Sequence, residues 1–266
     1  MKKLLIDQNN GELIKVKVKD VVFGGKEKVI ISGPCSIESY DIMMRIGKEL
    51  KDLGVHMLRG GAFKPRTSPY DFQGLKEEGL KIIKSVSEEI NIPIVTEVMD
   101  ARDIDNALNY TDMIQVGSRN MYNYTLLKEL GRTNSPILLK RGLSATISEW
   151  ICAAEYIMIE GNTNVVLCER GIRTFESYTR NTLDLNSVAV IKQKYRIPVI
   201  VDPSHGTGIR ELVPSMSLAS ITAGADGLII ESHISPDNAV SDARQTVSMK
   251  SLENIIEGVK KLEQVF

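Results

Sequence analysis

The feature that most constrains this chain is a rhythm. Short apolar runs rich in Val and Ile recur, each followed by Gly or polar residues and then a helix-like stretch. The runs are Val29–Ser32, Met57–Arg59, Pro93–Glu97, Met113–Val116, Ile137–Lys140, Val165–Cys168, Pro198–Asp202 and Gly227–Glu231. Between them, Tyr40–Leu53, Leu75–Ile90, Ser148–Ile159 and Leu212–Ala223 repeat apolar residues at the helical period, and Ser251–Phe266 closes the chain the same way. Buried-type strands alternating with helices read as parallel βα units. Eight units in a chain of 266 residues match an α/β fold of the (β/α)8 TIM-barrel type, which takes about 250 residues. An open doubly wound sheet uses the same alphabet, but wants a Gly-rich phosphate turn after its first strand. The nearest match, Gly206-Thr207-Gly208, lies late in the chain and lacks a third glycine. Leu13–Val18 alternates like a strand, so residues 1–27 are expected to form a short extension across the barrel's N-terminal end. Residues 28–266 then form the barrel.

Charge and composition narrow the function classes. Lys and Arg total 33 against 34 for Asp and Glu, whereas a nucleic-acid or membrane-surface binder would show a basic excess. The longest unbroken apolar run is Trp150–Ala154, far short of a bilayer span. Three scattered cysteines, Cys35, Cys152 and Cys168, make no disulfide framework. The expectation is a cytoplasmic globular protein, with Cys152 in the core of its helix and Cys168 serving packing.

In such a barrel, chemistry sits where the strands end and the βα loops converge. Those ends here are Cys35 after the first strand, Arg59 to Ser68 after the second, and Glu97 at the third. Ser118-Arg119 and Lys140-Arg141 follow the next two, then Cys168-Glu169-Arg170, Asp202 to Gly206, and Glu231-Ser232-His233. Charges at the end of an apolar strand are costly to desolvate unless paired, so a ring of them implies a highly charged ligand. Barrel closure makes strands seven, eight and one neighbours, which allows Cys35, His205, Glu231 and Asp242 to converge. A thiolate, an imidazole and two carboxylates suit one divalent transition-metal ion rather than Mg²⁺ or Ca²⁺. Across the mouth, Arg59, Lys64, Arg66, Arg119, Lys140 and Arg170 are enough cations for two phosphorylated ligands, one carrying a carboxylate as well. Each residue alone has an ordinary structural explanation; their joint placement at one end does not.

Four stretches carry a resemblance. Gly33-Pro34-Cys35-Ser36-Ile37-Glu38-Ser39, Leu58 through Pro69, Val201-Asp202-Pro203-Ser204-His205 and Gly227-Leu228-Ile229-Ile230-Glu231 resemble 3-deoxy-D-arabino-heptulosonate-7-phosphate (DAHP) synthases. The match is to the short class I-beta type, related to the sugar-acid-phosphate synthases of lipopolysaccharide synthesis. It spans residues from about 20 to 250. It departs at Ser232-His233-Ile234-Ser235, where relatives often read Val-His-Pro-Asn, and at Gly206, where Ala is common. The regulatory module many relatives append is not expected in the short stretch before the barrel.

The resemblance implies condensation of phosphoenolpyruvate with erythrose 4-phosphate, the entry to the shikimate pathway and aromatic amino acids. It assigns the metal (Mn, Fe, Co, Zn or similar, with no organic cofactor) to Cys35, His205, Glu231 and Asp242. Arg59, Lys64 and Lys140 would face the phosphoenolpyruvate carboxylate, and Arg119 and Arg170, with backbone around Ser118, its phosphate. Lys64, Pro65, Arg66 and Thr67 would hold the aldose. Lys64, Glu97 and His205 form the expected catalytic set, Lys64 either as proton donor to the new hydroxyl or in a purely electrostatic role, and Glu97 or a metal-adjacent group as the one that helps deprotonate water. A homo-oligomer, dimer or tetramer, is typical of such enzymes, with no nucleic-acid or membrane partner. The nearest rival is the octulosonate 8-phosphate synthase that uses arabinose 5-phosphate, which typically carries Lys-Ala-Asn-Arg where this chain has the shorter Lys64-Pro65-Arg66. A non-catalytic barrel that binds phosphoenolpyruvate would show eroded ligand positions, and every matched position is occupied.

Overall fold

The computed structural model describes residues 4–64, 68 and 70–265. A hairpin of β1 (Val16–Val18) and β2 (Val21–Phe23) precedes eight parallel strands: β3 (Val29–Gly33), β4 (Met57–Arg59), β5 (Ile94–Glu97), β6 (Met113–Val116), β7 (Ile137–Lys140), β8 (Val165–Glu169), β9 (Val199–Val201) and β10 (Gly227–Glu231). They close in sequence order, with β10 pairing both β9 and β3. The helices between them are α1 (Tyr40–Asp52), α2 (Lys76–Ile90), α3 (Ile104–Leu108), α4 (Tyr124–Gly131), α5 (Ile147–Met158), α6 (Leu185–Lys194), the one-turn α7 (Pro203–Thr207), α8 (Val213–Thr222) and α9 (Met249–Glu263). This is the expected (β/α)8 barrel. Among the described residues, no helix is long and apolar enough to cross a membrane.

Each strand serves two cores, because successive side chains point to opposite faces. Ile30, Leu58, Ile94, Ile114, Leu139, Leu167, Val199 and Ile230 face outward and pack with the helices. Val29, Ile31, Met57, Val95, Met113, Leu138, Val166, Ile200 and Ile229 face inward. Val16, Val18, Val21 and Phe23 of the hairpin belong to this inner cluster. The extension thus differs from its expected form: only Val16–Val18 of the Leu13–Val18 stretch is a strand, and its partner is Val21–Phe23, across a Lys19-Asp20 turn. Lys19 takes a positive φ of 52° there, a conformation more often given to Gly or Asn.

The helix starts are set locally. Ser39 caps α1, Asp184 caps α6 and Ser248 caps α9, while Thr146 and Glu149 form a reciprocal capping box on α5. Cys152 is exposed, correcting the expectation that it is core. Trp150, Ile151, Ala153 and Ala154 supply the buried side of α5, and Cys152 falls on the outer face one helical turn from Ser148 and Glu155.

Phe23 is completely buried, so Phe23→Ala leaves a cavity under the barrel floor that should cost about 3–5 kcal/mol of stability. Urea unfolding should show a lowered midpoint; an unchanged midpoint would mean the hairpin contributes no packing.

Candidate active site

Counting two residues beyond the inward apolar layer leads from Met57 to Arg59, Val95 to Glu97, Met113 to Gln115, Leu138 to Lys140, Ile200 to Asp202 and Ile229 to Glu231. The alternation that builds the apolar floor therefore ends in a polar top layer. Arg59, Gln115, Lys140, Asp202 and Glu231 are all buried there, so each needs a partner.

One half of this layer gathers donors. Gly33 ends β3 at φ +147°, and a Cβ there would meet the Arg59 carbonyl oxygen at 2.2 Å. Glycine at this point lets the chain run tight against β4 and brings Cys35 over the barrel mouth. The Cys35 thiol donates to Asp242 Oδ2 at 2.9 Å, and Lys64 Nζ donates to Cys35 Sγ at 2.8 Å and to its carbonyl at 3.1 Å. Glu231 accepts from Arg59 Nη1 at 2.8 Å and from Gln245 Nε2 at 2.6 Å, while its backbone N–H donates to Ser204 Oγ. Donor atoms of Cys35, Glu231 and Asp242 lie within 4.8 Å of one another. His205 Nε2 stands 3.5 Å from Glu231 Oε1. The four residues named from sequence are thus brought to one corner, three as a mutual cluster and His205 through Glu231.

The electrostatics follow from burial and charge. Burial pushes the Cys35 thiol up to about 12, with Glu231 adding to the shift and Lys64 opposing it. Burial also works against the Glu231 carboxylate, but His205, Arg59 and Lys64 outweigh it and hold the group well below the usual range. Burial lowers His205, against the pull of Asp202 and Glu231, which favours the neutral imidazole that ligates metals. Soft sulfur, imidazole nitrogen and two carboxylates can together hold a divalent transition-metal ion.

The other half is cationic. A cavity of about 320 Å³ opens over the corner; Arg59, Lys64, Arg119, Lys140, Arg170, Arg173 and Arg180 line it with Asp71, Glu97, Asp242 and His205. Ser118 and Arg119 occupy a short 3-10 turn after β6, Ser118 also lining the cavity. Arg170 is buried just past β8 and donates to the Gly171 carbonyl at 3.4 Å. Glu97 accepts from Gln115 Nε2 at 2.8 Å. It lies against Gly117, where a Cβ would come within 2.2 Å of its Oε1, so a side chain there would push the carboxylate from this position. Pro65, Arg66 and Thr67 lie outside the described residues.

Several participants were not picked out from sequence. Arg180 reaches Asp242 at 3.2 Å and Gln245 at 2.9 Å, and Arg173 adds a further cation. Asp202 accepts from Lys140 at 2.5 Å and pairs with the His205 imidazole at 2.7 Å. The strand pattern already puts Asp202 at the mouth but gives it no role; it is the N-cap of α7, three residues before His205. Cys168 packs inside the barrel, its thiol 3.7 Å from the Glu169 carbonyl oxygen.

Comparison with known proteins agrees with this geometry. A profile of the DAHP synthetase I family matches residues 7–266. A Thermotoga maritima protein named phospho-2-dehydro-3-deoxyheptonate aldolase is 44% identical over 260 residues, covering 98% of this chain and 77% of that one. A Fusobacterium nucleatum 2-dehydro-3-deoxyphosphooctonate aldolase is 29% identical over 272 residues, covering 94% and 96%. Among solved structures, the Thermotoga maritima DAHP synthase superposes with a TM-score of 0.96 at 42% identity, over 99% of this chain and 78% of that one. A truncated form of the synthase from the same organism gives 0.91 at 39%, over 98% and 96%. With the barrel, the donor corner and the cationic cavity in place, the chain belongs to the DAHP synthetase I family.

Proposed function

We propose that this enzyme condenses phosphoenolpyruvate, D-erythrose 4-phosphate and water to DAHP and phosphate. The observation that carries the reading is the mixed-donor corner of Cys35, Glu231 and Asp242 facing a cavity lined by seven cationic side chains. The identity of 44% to a heptonate aldolase against 29% to an octonate aldolase supports the four-carbon aldose, as does the Lys64-Pro65-Arg66 sequence. We read residues 1–27 as an extension closing the barrel floor, and the working enzyme as a cytoplasmic homo-oligomer.

A divalent ion held by Cys35, His205, Glu231 and Asp242 would supply Lewis acidity at the aldehyde oxygen. The chain's own side chains do the rest. Arg59, Lys64 and Lys140 hold the phosphoenolpyruvate carboxylate, Arg119 and Arg170 with Ser118 its phosphate, and Lys64 through Thr67 the aldose. Fixing both substrates removes entropy from the barrier. C3 of phosphoenolpyruvate then bonds to the aldehyde carbon, and the aldehyde oxygen takes a proton from Lys64. Burial disfavours the Lys64 ammonium, but Cys35 and Glu231 raise its pKa overall, so it holds a proton to give. Water adds at C2 with one proton passing to Glu97, and the resulting hemiketal phosphate breaks the C2–O bond to its phosphate while the C2 hydroxyl proton passes to the departing phosphate, leaving the ketone.

Phosphate release from phosphoenolpyruvate should require erythrose 4-phosphate and be much slower with arabinose 5-phosphate; the reverse preference would assign the rival reaction. Chelation should abolish turnover, and Mn²⁺ should restore it, whereas full activity in metal-free protein would refute the Lewis-acid role. Cys35→Ser removes the soft ligand and should lower metal content per chain, measured by plasma emission. Unchanged content would contradict the ligand assignment.

A further inference from the structure

Asp202 is fully buried at the end of β9, and one of its oxygens serves two masters. Oδ2 accepts from Lys140 Nζ at 2.5 Å and pairs with His205 Nδ1 at 2.7 Å. Oδ1 accepts the His205 backbone N–H at 2.9 Å. Lys140 comes from β7 and belongs to the cationic half of the mouth, while His205 sits on α7 in the donor corner. The carboxylate therefore joins the two halves through a single atom. Binding to Asp202 puts the imidazole proton on Nδ1 and leaves Nε2 with its lone pair toward Glu231, 3.5 Å away.

Resting on the functional reading above, we propose that Asp202 is a positioning residue that makes phosphoenolpyruvate and the divalent metal tighten each other's binding. Two cationic or polarised donors compete for Oδ2. When the substrate carboxylate draws Lys140 away, Oδ2 is left to His205 alone. The stronger Nδ1–H bond raises the basicity of Nε2, as outer partners of ligating histidines do. In the other direction, metal on Nε2 makes Nδ1–H the stronger donor, loosens Lys140 from Oδ2 and frees its ammonium for the substrate. Linkage requires the two effects to be equal as factors in affinity.

The test uses the full chain without aldose, so that nothing turns over. Phosphoenolpyruvate affinity is measured calorimetrically with and without Mn²⁺, and Mn²⁺ affinity by chelator competition with and without phosphoenolpyruvate. In the wild type each ligand should tighten the other by a common factor of about 5 or more. Asp202→Asn should weaken Mn²⁺ about 10–100-fold, retain phosphoenolpyruvate binding in the metal-free protein, and bring the mutual factor toward one. A wild-type factor of one, or an unchanged factor in Asp202→Asn, overturns the proposal alone. Loss of both ligands together in the variant marks a purely structural role and overturns it too. A wild type that binds neither ligand removes the functional reading itself. Should the variant not fold, ¹⁵N-histidine spectra of the metal-free wild type decide. Phosphoenolpyruvate should shift the His205 Nδ1 proton downfield while inorganic phosphate, which has no carboxylate for Lys140, leaves it in place; equal shifts with both, or none, overturn the coupling.

Discussion

The two-residue repeat of a closed parallel barrel is the constraint on which the site depends. Strand side chains alternate between the helix layer and the barrel interior, and the interior below the mouth is packed with buried apolar side chains. The inward positions therefore begin as Val29, Met57, Val95 and Leu138 and turn polar only at the C-terminal ends of the strands. Because Arg59, Lys140, Asp202 and Glu231 all sit at that level and all are buried, the barrel concentrates charge in one plane. No single helix or loop could do this, since it takes several strands meeting side by side.

A plane of buried charge is stable only if its signs interleave. Desolvating any one of these groups costs several kcal/mol, and removing one partner of a buried pair typically costs about 3–5 kcal/mol. The structure answers with pairs across the mouth, from strands next but one to each other in the barrel: Arg59 of β4 with Glu231 of β10 at 2.8 Å, and Lys140 of β7 with Asp202 just past β9 at 2.5 Å. Each pair has one member on the side of the donor corner and one on the side of the cationic cavity. The arrangement that lets the top layer fold is thus the same one that makes its cations available to an anionic substrate. A bound carboxylate or phosphate replaces one anionic partner by another rather than being asked to neutralise bare charge.

Most of this plane was legible because periodicity and strand ends are local in sequence. Eight Val/Ile runs predicted eight strands, and the residues that end them predicted Cys35, Glu97, Lys140, Asp202 and Glu231 at the mouth. The hairpin was only half visible: Lys19-Asp20 lacks the Asn-Gly or Asp-Gly signal of a tight turn, so β2 was not separated from the loop. Cys152 was misplaced because four apolar neighbours hide the helical phase over so short a stretch. Gln245 and Arg180 were missed for a different reason. Gln245 turns back from the loop after β10 onto Glu231 at the end of that strand, and Arg180 crosses from the loop after β8 to Asp242; nothing in a loop's composition says which way a side chain will turn.

The same alternation also limits how far a ring of charges can be read as a ring of ligand contacts. Lys140 points into the mouth, so its neighbour Arg141 must point out; Glu169 likewise turns away from the interior that Cys168 occupies. On that outer side Arg141 Nη1 pairs with Glu169 at 2.8 Å and with Asp184 at 2.8 Å, and its guanidinium lies 5.8 Å from the Trp150 ring. Glu169 in turn accepts the Gly171 N–H at 2.6 Å and the Ser187 hydroxyl at 3.2 Å. These charges never reach the cavity. They bind the start of the loop after β7 to that after β8 and to the first turn of α6, and Arg170 is carried on the segment so fixed. Consecutive residues at one strand end therefore divide the work: one faces the substrate, and the next, equally charged and equally buried, anchors the loop that brings the following cation into line.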